Sequence, residues 1–425
     1  MKKIKVTFTF KKIGRIAKEE LAYKLLFFGM LISFLGSLNP WFMWSIGALY
    51  PILSLVFLIP ALLLSNASSQ SLFTERKYIP TFIIYLITSF YITIVSGYNI
   101  NGQIVNLIHA STFFCLYTIN IHHSQRICDN ISKFMGGILA VSIGAFFLHI
   151  IGFPFPSRNV SFGDYSYTNY YFFMIDDRSI LALIPRFSSY FLEPGHLGTA
   201  TVMLLTTQIG KWKTWYNKVL LTATLISFSL AAYVLLVVLI CLDFWIQRKK
   251  FIGKLIGIII FIAAIVTGSF YYNNGDNLLH DLIVIRMEIN DDGELAGNNR
   301  TTEDFQRQFS SFMSSDDIFT GRGNEEIPTG NSGYQVFIYR YGLIGTILII
   351  ILYIGSYYHG ENKRAIISAI IIAFLAFIVR GYPLWDSNFI PLFVLANCQP
   401  IRLSEIPAVD NDEDRTEGTE DITQQ

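Results

Sequence analysis

The sequence predicts an all-α polytopic membrane protein of about 12 transmembrane helices with a large outer loop. Three observations support this fold class. Of the 425 residues, 52% are hydrophobic, which is more apolar surface than one globular core buries. Apolar runs that approach the roughly 20 residues of a spanning helix recur from Leu21 to Cys398. Finally, lysine and arginine are distributed unequally among the segments between these runs.

The apolar runs predict twelve spans, an even number that puts both termini on the same side of the membrane. They lie near 21–38, 43–64, 79–97, 103–120, 134–153, 189–209, 219–231, 232–246, 255–271, 336–356, 365–380 and 388–400. The seventh and eighth spans are short because only 29 residues separate Lys218 from Arg248. Basic residues flank this stretch on both sides, so the positive-inside rule places both ends in the cytoplasm. The stretch is therefore predicted to be a short helical hairpin.

Charge and hydropathy divide the chain into three parts. Residues 1–20 form a basic arm that is expected to stay in the cytoplasm, because the first apolar run follows without a small-residue cleavage site. Residues 21–400 form the transmembrane domain, with two long outer loops at 154–188 and 272–335. Residues 401–425 form an acidic cytoplasmic tail whose few apolar residues predict disorder.

The basic residues of the two long outer loops are all arginine, whereas every lysine falls on the predicted cytoplasmic side. The loop arginines are Arg158, Arg178, Arg186, Arg286, Arg300, Arg307 and Arg322. Topology explains the missing lysine but not the retained arginine, and the planar guanidinium fork suits phosphate or carboxylate ligands. The alternative is that these arginines balance the acids of the same loops. The chain has no evident pattern of metal ligands, so no metal and no cofactor are predicted.

The segment RFSSYFLEPGHLG, residues 186–198, places Arg186, Glu193 and His196 at the outer mouth of a predicted span. Ionisable groups are costly at such a position unless they are paired or functional. A carboxylate there can accept a proton from an attacking sugar hydroxyl, and the Pro-Gly pair after it is expected to loosen the helix. The alternatives are a structural ion pair between Arg186 and Glu193 and, for His196, a hydrogen-bonded structural histidine.

Two further groups of side chains are candidates for substrate contacts. The aromatic run FGDYSYTNYYFF, residues 162–173, includes Tyr170 and offers ring faces that could stack on sugars. Anchoring at the membrane interface explains this run equally well. Arg340 lies one turn inside a predicted span and Arg380 at the outer end of another. An unpaired guanidinium is expensive at both positions, so both are expected to face an internal cavity.

The second outer loop contains GNNRTTEDFQRQF at 297–309 and FTGRGNEEIPTGNSGYQVFIYRYGLIG at 319–345. This order of arginine, G-x-G, asparagine, tyrosine and G-x-x-G resembles the bacterial O-antigen ligase and polymerase superfamily. The residues that occupy those positions are Arg300, Gly321, Gly323, Asn331, Tyr334, Gly342 and Gly345. The segment around Glu193 and the serine-containing ISFSLAAY at 226–233 are similar to further parts of the family. The ligase branch commonly has histidine just before the loop asparagine, where this chain has glycine, which favours the polymerase branch.

The resemblance implies a glycosyltransferase of GT-C-like architecture in the bacterial inner membrane. It would join polyprenyl-diphosphate-linked oligosaccharide repeats of O-antigen or capsule on the periplasmic face, with polyprenyl diphosphate as the leaving group. Glu193 would be the general base, and preorganised arginines would stabilise the leaving diphosphate. The catalytic arginines would be Arg186, Arg300 and Arg322. Substrate contacts would come from His196, Arg286, Asn331, Tyr334, Arg340, Arg380 and Tyr170.

The expected partners are the lipid-linked oligosaccharide, the lipid bilayer and a chain-length regulator protein, and no nucleic acid is expected. Two alternatives remain open. One is a ligase that transfers the finished chain to a lipid acceptor. The other is a flippase or exporter of the same lipid-linked sugars, which would use intramembrane charges without needing a proton acceptor. Loss of a polymerase predicts short chains, loss of a ligase predicts long chains left on the carrier, and loss of a flippase predicts single units on the inner face.

Overall fold

The computed structural model describes residues 2–66, 79–97, 100–117, 121–163, 165–177, 185–247, 251–275, 277, 280, 302–324, 333–359 and 362–396. Helices dominate this part of the chain. The first six are α1 (Lys2–Ser37), α2 (Tyr50–Asn66), α3 (Ile79–Val95), α4 (Ile100–Tyr117), α5 (Ile121–Ile150) and α6 (Pro194–Thr206). The next seven are α7 (Trp215–Ile226), α8 (Leu230–Gln247), α9 (Phe251–Tyr271), α10 (Glu303–Met313), α11 (Gly333–His359), α12 (Lys363–Arg380) and α13 (Asp386–Ala396).

Five helices are long and apolar enough to cross a membrane by length and composition, counting only the residues described above. They are Lys18–Ser37, His123–Ile150, Leu230–Gln247, Ile252–Tyr271 and Gly333–Tyr358. Shorter apolar helices occupy Tyr50–Leu64 and Ile79–Val95. Large apolar side chains stay exposed along these helices, such as Ile260 and Phe261 of α9, which only lipid would cover favourably. The predicted α-helical, membrane-embedded class is confirmed, whereas the number of twelve spans stays a prediction.

Two predicted spans form helices that are shorter than expected. The run at 189–209 is helical only over the 13 residues of α6, which extend about 20 Å against a hydrocarbon core of about 30 Å. The last predicted span becomes the 11-residue α13, and residues 397–400 lie outside the described part. Both are inner helices, since all of α6 after its first residue is buried and α13 contacts six other helices. Their apolar character therefore reflects burial among helices and does not require full spanning length.

The stretch between Lys218 and Arg248 forms two helices with a turn between them, as predicted, but the turn comes before the predicted junction of 231 and 232. Helix α7 ends at Ile226 and α8 begins at Leu230, so the reversal occupies the residues 227–229 of the serine-containing segment. Phe228 has a left-handed backbone with φ +46°. The hydroxyl of Ser227 donates to the carbonyl of Thr224 at 2.7 Å, which ends α7 with a bond to its own last turn.

The first outer loop contains a small antiparallel sheet that the all-α prediction did not include. Its strands are β1 (Arg158–Phe162), β2 (Tyr165–Asn169) and β3 (Met174–Asp176), in the order β1-β2-β3. Phe162 and Tyr167 contact the ring of Trp44 at centroid distances of 5.1 and 6.0 Å. The sheet thus packs on the connection between α1 and α2. We call the end of the bundle that carries this sheet and α10 the loop end.

Helix α11 is broken at Gly342, where φ is 64° and ψ is −171°. A stretch of the second outer loop fills the break. The N–H of Arg322 donates to the carbonyl of Tyr339 at 2.8 Å, and the N–H of Gly323 donates to the carbonyl of Arg340 at 2.9 Å. These bonds satisfy carbonyl groups that would otherwise lack partners at an interrupted helix. The loop and the helix therefore form one hydrogen-bonded unit.

Three of the glycines that carry the family resemblance hold this unit together. Gly321, Gly323 and Gly342 all have positive φ. An added Cβ at Gly321 would lie 2.3 Å from the Arg340 carbonyl oxygen, and one at Gly342 would lie 2.3 Å from that of Phe319. Only glycine permits this backbone conformation at so close an approach. We call residues 319–323 the clip segment.

The charge pattern predicts the side of the membrane on which the loop end lies, and thiol labelling can test it. In a background without the four native cysteines, an exposed Ser314→Cys at the end of α10 should react with a membrane-impermeant reagent added outside the inner membrane. An exposed Lys213→Cys, before α7, should react only after that membrane is opened, because the positive-inside rule puts it in the cytoplasm. The reverse pattern would contradict the predicted orientation.

Candidate functional site

An ion pair joins Glu193 and Arg380 at the loop end of the bundle. Nη1 of Arg380 donates to Oε2 of Glu193 at 2.5 Å, and the arginine side chain is only 12% exposed. The two residues are 187 positions apart in the chain. Because the pair is charge-assisted and partly desolvated, it is stronger than an ion pair on an exposed surface. The alternative interpretation of Glu193 named Arg186 as its ion-pair partner, whereas the structure places Arg380 beside it.

Local sequence explains how α6 and α12 present these two charges. Glu193 is the extended N-cap residue of α6, and Pro194 occupies the first helical turn, where its missing N–H leaves no bond unmade. The Pro-Gly pair therefore starts α6, and the expectation that it loosens the helix was wrong. Arg380 lies in the last turn of α12, which ends in a left-handed Gly381. A carboxylate at a helix N-terminus and a cation at a helix C-terminus are both favoured by the helix dipoles.

Gly195 allows Arg380 to approach α6. A Cβ built at Gly195 would lie 1.5 Å from Nη2 of Arg380, so the guanidinium occupies the space of a side chain. His196 follows on the same turn. Its Nε2 lies 3.9 Å from Oε2 of Glu193, and its ring meets that of Trp385 edge-on at 4.7 Å. The sequence E-P-G-H thus places a carboxylate and an imidazole next to a glycine that leaves room for the guanidinium of Arg380.

Arg380 also lines a cavity of about 240 Å³. Its lining residues are Ile92, Gly333, Val336, Phe337, Arg340, Tyr341, Arg380, Gly381, Tyr382, Pro383 and Leu384. The cavity brings together the start of α11 and the end of α12, because an added Cβ at Gly333 would lie 2.6 Å from the backbone nitrogen of Arg380. The expectation that Arg340 and Arg380 both face a cavity is confirmed.

The two cavity arginines have spare hydrogen-bonding capacity. Nε of Arg340 and Nε of Arg380 are both buried and have no hydrogen-bond partner within the described part of the chain. Among the described residues, no acidic side chain lines the cavity. A buried guanidinium is costly when it is not fully neutralised, and the fork geometry matches phosphate oxygens. An anion of phosphate size is therefore the ligand that this cavity suits best.

Arg186 and Arg322 lie outside the lining of that cavity. Nε of Arg186 donates to the carbonyl of Ser227 at 3.4 Å, so this arginine contacts the hairpin turn. Nε of Arg322 donates to Oδ2 of Asp317 at 2.9 Å, and Nη1 lies 3.5 Å from the hydroxyl of Tyr339. These bonds to Tyr339 and Asp317 raise the pKa of Arg322 above its usual value. For Arg322, the geometry matches the alternative of local charge balance.

The remaining predicted site residues are either peripheral or not described. Tyr170 stacks on Phe173 with centroids 4.8 Å apart and contacts His149, so one ring face is already used. Burial, together with the nearby Asp177, raises the pKa of Tyr170. Tyr334 is exposed on the first turn of α11. The predictions for Arg286, Arg300 and Asn331 fall outside the described residues.

Sequence reasoning missed a second pair of ionisable residues near the site, one of them fully buried. The fully buried carboxylate of Asp386, at the start of α13, accepts a hydrogen bond from Ser33 at 2.5 Å and lies 2.8 Å from Nε2 of His109. The signal was a histidine within the predicted span 103–120 and an acid next to the last span, because ionisable groups at membrane depth usually have partners. The pair ties α1, α4 and α13 together behind the Arg380 site.

Comparisons with protein-family models, with curated proteins and with solved structures found no match to this chain.

Proposed function

We propose that this chain is an inner-membrane polysaccharide polymerase that joins polyprenyl-diphosphate-linked oligosaccharide repeats on the periplasmic face. The observation that carries the proposal is the position of Arg380, which contacts the carboxylate of Glu193 and also lines a cavity with Arg340. A transferase with a diphosphate leaving group needs a proton acceptor and a cationic anion site next to each other. The motifs that resemble the O-antigen polymerases point to the same substrate class.

In the proposed reaction, a hydroxyl oxygen of the incoming repeat forms a bond to the anomeric carbon of the growing chain. The bond between that carbon and the diphosphate oxygen breaks, and polyprenyl diphosphate leaves with the bonding electron pair. Glu193 takes the hydroxyl proton. Arg340 and Arg380 stabilise the negative charge that develops on the diphosphate. His196, 3.9 Å from Glu193, would orient the carboxylate. The twelve-span topology and the GT-C-like architecture are part of this proposal.

Chain extension by purified protein is the direct test. With synthetic polyprenyl-diphosphate repeats as the only substrate, wild-type protein should produce a ladder of lengthened chains on gels. Transfer only to an added lipid acceptor would favour the ligase alternative. Movement of the intact substrate across a proteoliposome bilayer without any extension would favour the flippase.

Lysine substitution tests whether the cavity arginines bind by geometry or only by charge. We expect Arg340→Lys and Arg380→Lys to lower the extension rate by about 10- to 100-fold, because a lysine cannot present the bidentate fork that phosphate needs. Arg307→Lys is the matched control, since this arginine is exposed and pairs with Asp304 on α10. Wild-type ladders from both cavity variants would remove these arginines from the mechanism.

A further inference from the structure

Arg380 contacts two surroundings, the carboxylate of Glu193 and a cavity. Its Nη1 donates to Glu193, and its Nη2 fills the space over Gly195. Its Nε is buried without a hydrogen-bond partner in the described part of the chain, and the side chain lines the 240 Å³ cavity. An anion in the cavity would therefore interact with the same guanidinium as the carboxylate of Glu193.

The described residues that line the cavity carry an excess of positive charge. Arg340 and Arg380 bring two positive charges to its wall, and no carboxylate of the described residues lines it. Its volume is slightly below the roughly 300–1,000 Å³ typical of sites for drug-sized ligands. A phosphate or diphosphate group fits such a volume. Charge and size together select a compact anion.

We infer that an anionic phosphate group entering this cavity takes Arg380 away from Glu193, so that binding of the substrate anion itself releases the carboxylate to act as base. The inference rests on the proposed function for the identity of the anion as the diphosphate of the lipid-linked donor. In the free protein, the ion pair with Arg380 opposes proton uptake by Glu193. When the anion forms its own bonds to Arg380 and Arg340, the carboxylate becomes available to the acceptor hydroxyl.

Competition between two anions for one cation has a reciprocal consequence. If the cavity anion weakens the Glu193–Arg380 pair, then removing the carboxylate must strengthen anion binding by the same coupling. A residue that simply helps to bind substrate behaves in the opposite way, because its removal weakens binding. The sign of the change therefore distinguishes the two roles.

Calorimetric titration of the purified, full-length protein with inorganic pyrophosphate measures this sign. We expect Glu193→Gln to bind pyrophosphate about tenfold more tightly than wild type, within the usual range of coupling between sites. Arg380→Gln should lose the binding, which excludes adventitious binding to other basic residues. Glu20→Gln, which breaks an exposed pair with Arg126 far along the same bundle, is the matched control and should leave the affinity unchanged.

The same titration with a short isoprenyl diphosphate tests which kind of anion the cavity prefers. Tighter binding of this compound than of pyrophosphate would identify a lipid-linked diphosphate, whereas equal binding would identify free phosphate. Unchanged or weaker pyrophosphate binding by folded Glu193→Gln protein would overturn the inference, and so would the absence of any binding in both proteins. If wild type makes no chains but Glu193→Gln binds pyrophosphate more tightly, the proposed function is wrong. The inferred competition between Glu193 and the cavity anion for Arg380 is then still supported.

Discussion

Purified Glu193→Gln protein should fold normally, bind substrate and extend chains about 10²- to 10⁴-fold more slowly than wild type. Such a loss corresponds to about 3–5 kcal/mol at the barrier. Glutamine keeps the size and the hydrogen bonding of the side chain, including an acceptor for Arg380, but it cannot take a proton from the acceptor hydroxyl. The extension assay with synthetic repeats gives the rate, and thermal melting of the same preparation reports folding.

Glu20→Gln is the matched control for this experiment. Glu20 is also paired with an arginine, Arg126, at 2.8 Å, but near the middle of α1 and away from the loop end, where the side chains are 43% and 46% exposed. An exposed pair contributes about 1 kcal/mol at most, so extension should be unaffected. If the Glu193 pair is only structural, the glutamine protein should melt at a lower temperature and keep its turnover per folded molecule. Near-wild-type turnover would leave the base to His196, to a loop acid or to no residue.

The second large effect is expected at the break in α11. Gly342→Ala should lower the free energy of unfolding by about 3 kcal/mol, because alanine is strained at this φ and ψ and its Cβ would lie 2.3 Å from the carbonyl oxygen of Phe319. The clip segment would be displaced from the helix, and Arg340, two residues before the break, would move with it. Both the melting temperature and the extension activity should fall.

Gly144→Ala on α5 controls for the substitution itself. Gly144 is helical and exposed, and an added Cβ there would meet no atom within 4 Å. Alanine is a better helix former than glycine by about 1 kcal/mol in water, so this variant should be as stable as wild type or slightly more stable. Equal melting temperatures for Gly342→Ala and wild type would show that the break does not need glycine.

Some features of the fold and the site follow directly from sequence. Hydropathy and charge identify the helical membrane class and the α7–α8 hairpin, because both depend on composition over many residues. The exposure of Arg340 and Arg380 to a cavity also follows, since a guanidinium near membrane depth needs a polar surrounding. These predictions use only properties of single segments.

Other features depend on contacts between distant segments and were missed or misassigned. The partner of Glu193 is a residue 187 positions away, and no local pattern selects Arg380 over Arg186. Helix α6 was expected to be longer, because hydropathy does not separate burial among helices from burial in lipid. Two missed elements, α10 and the small sheet, did have local signals in the sequence. Thr302 is a typical N-cap residue and accepts from the N–H of Phe305 at the start of α10. Gly163 lies in the turn between β1 and β2.

The clip segment also constrains the order in which this protein can be assembled. The carbonyls of Tyr339 and Arg340 find their partners in Arg322 and Gly323, which precede α11 in the chain. Unsatisfied backbone groups at membrane depth cost several kcal/mol each, because lipid offers no hydrogen bonds. On the predicted topology, the loop must therefore cross the membrane before α11 reaches its final structure. The break in the helix is completed by a segment that is synthesised earlier, so on that topology export of the loop precedes formation of the site.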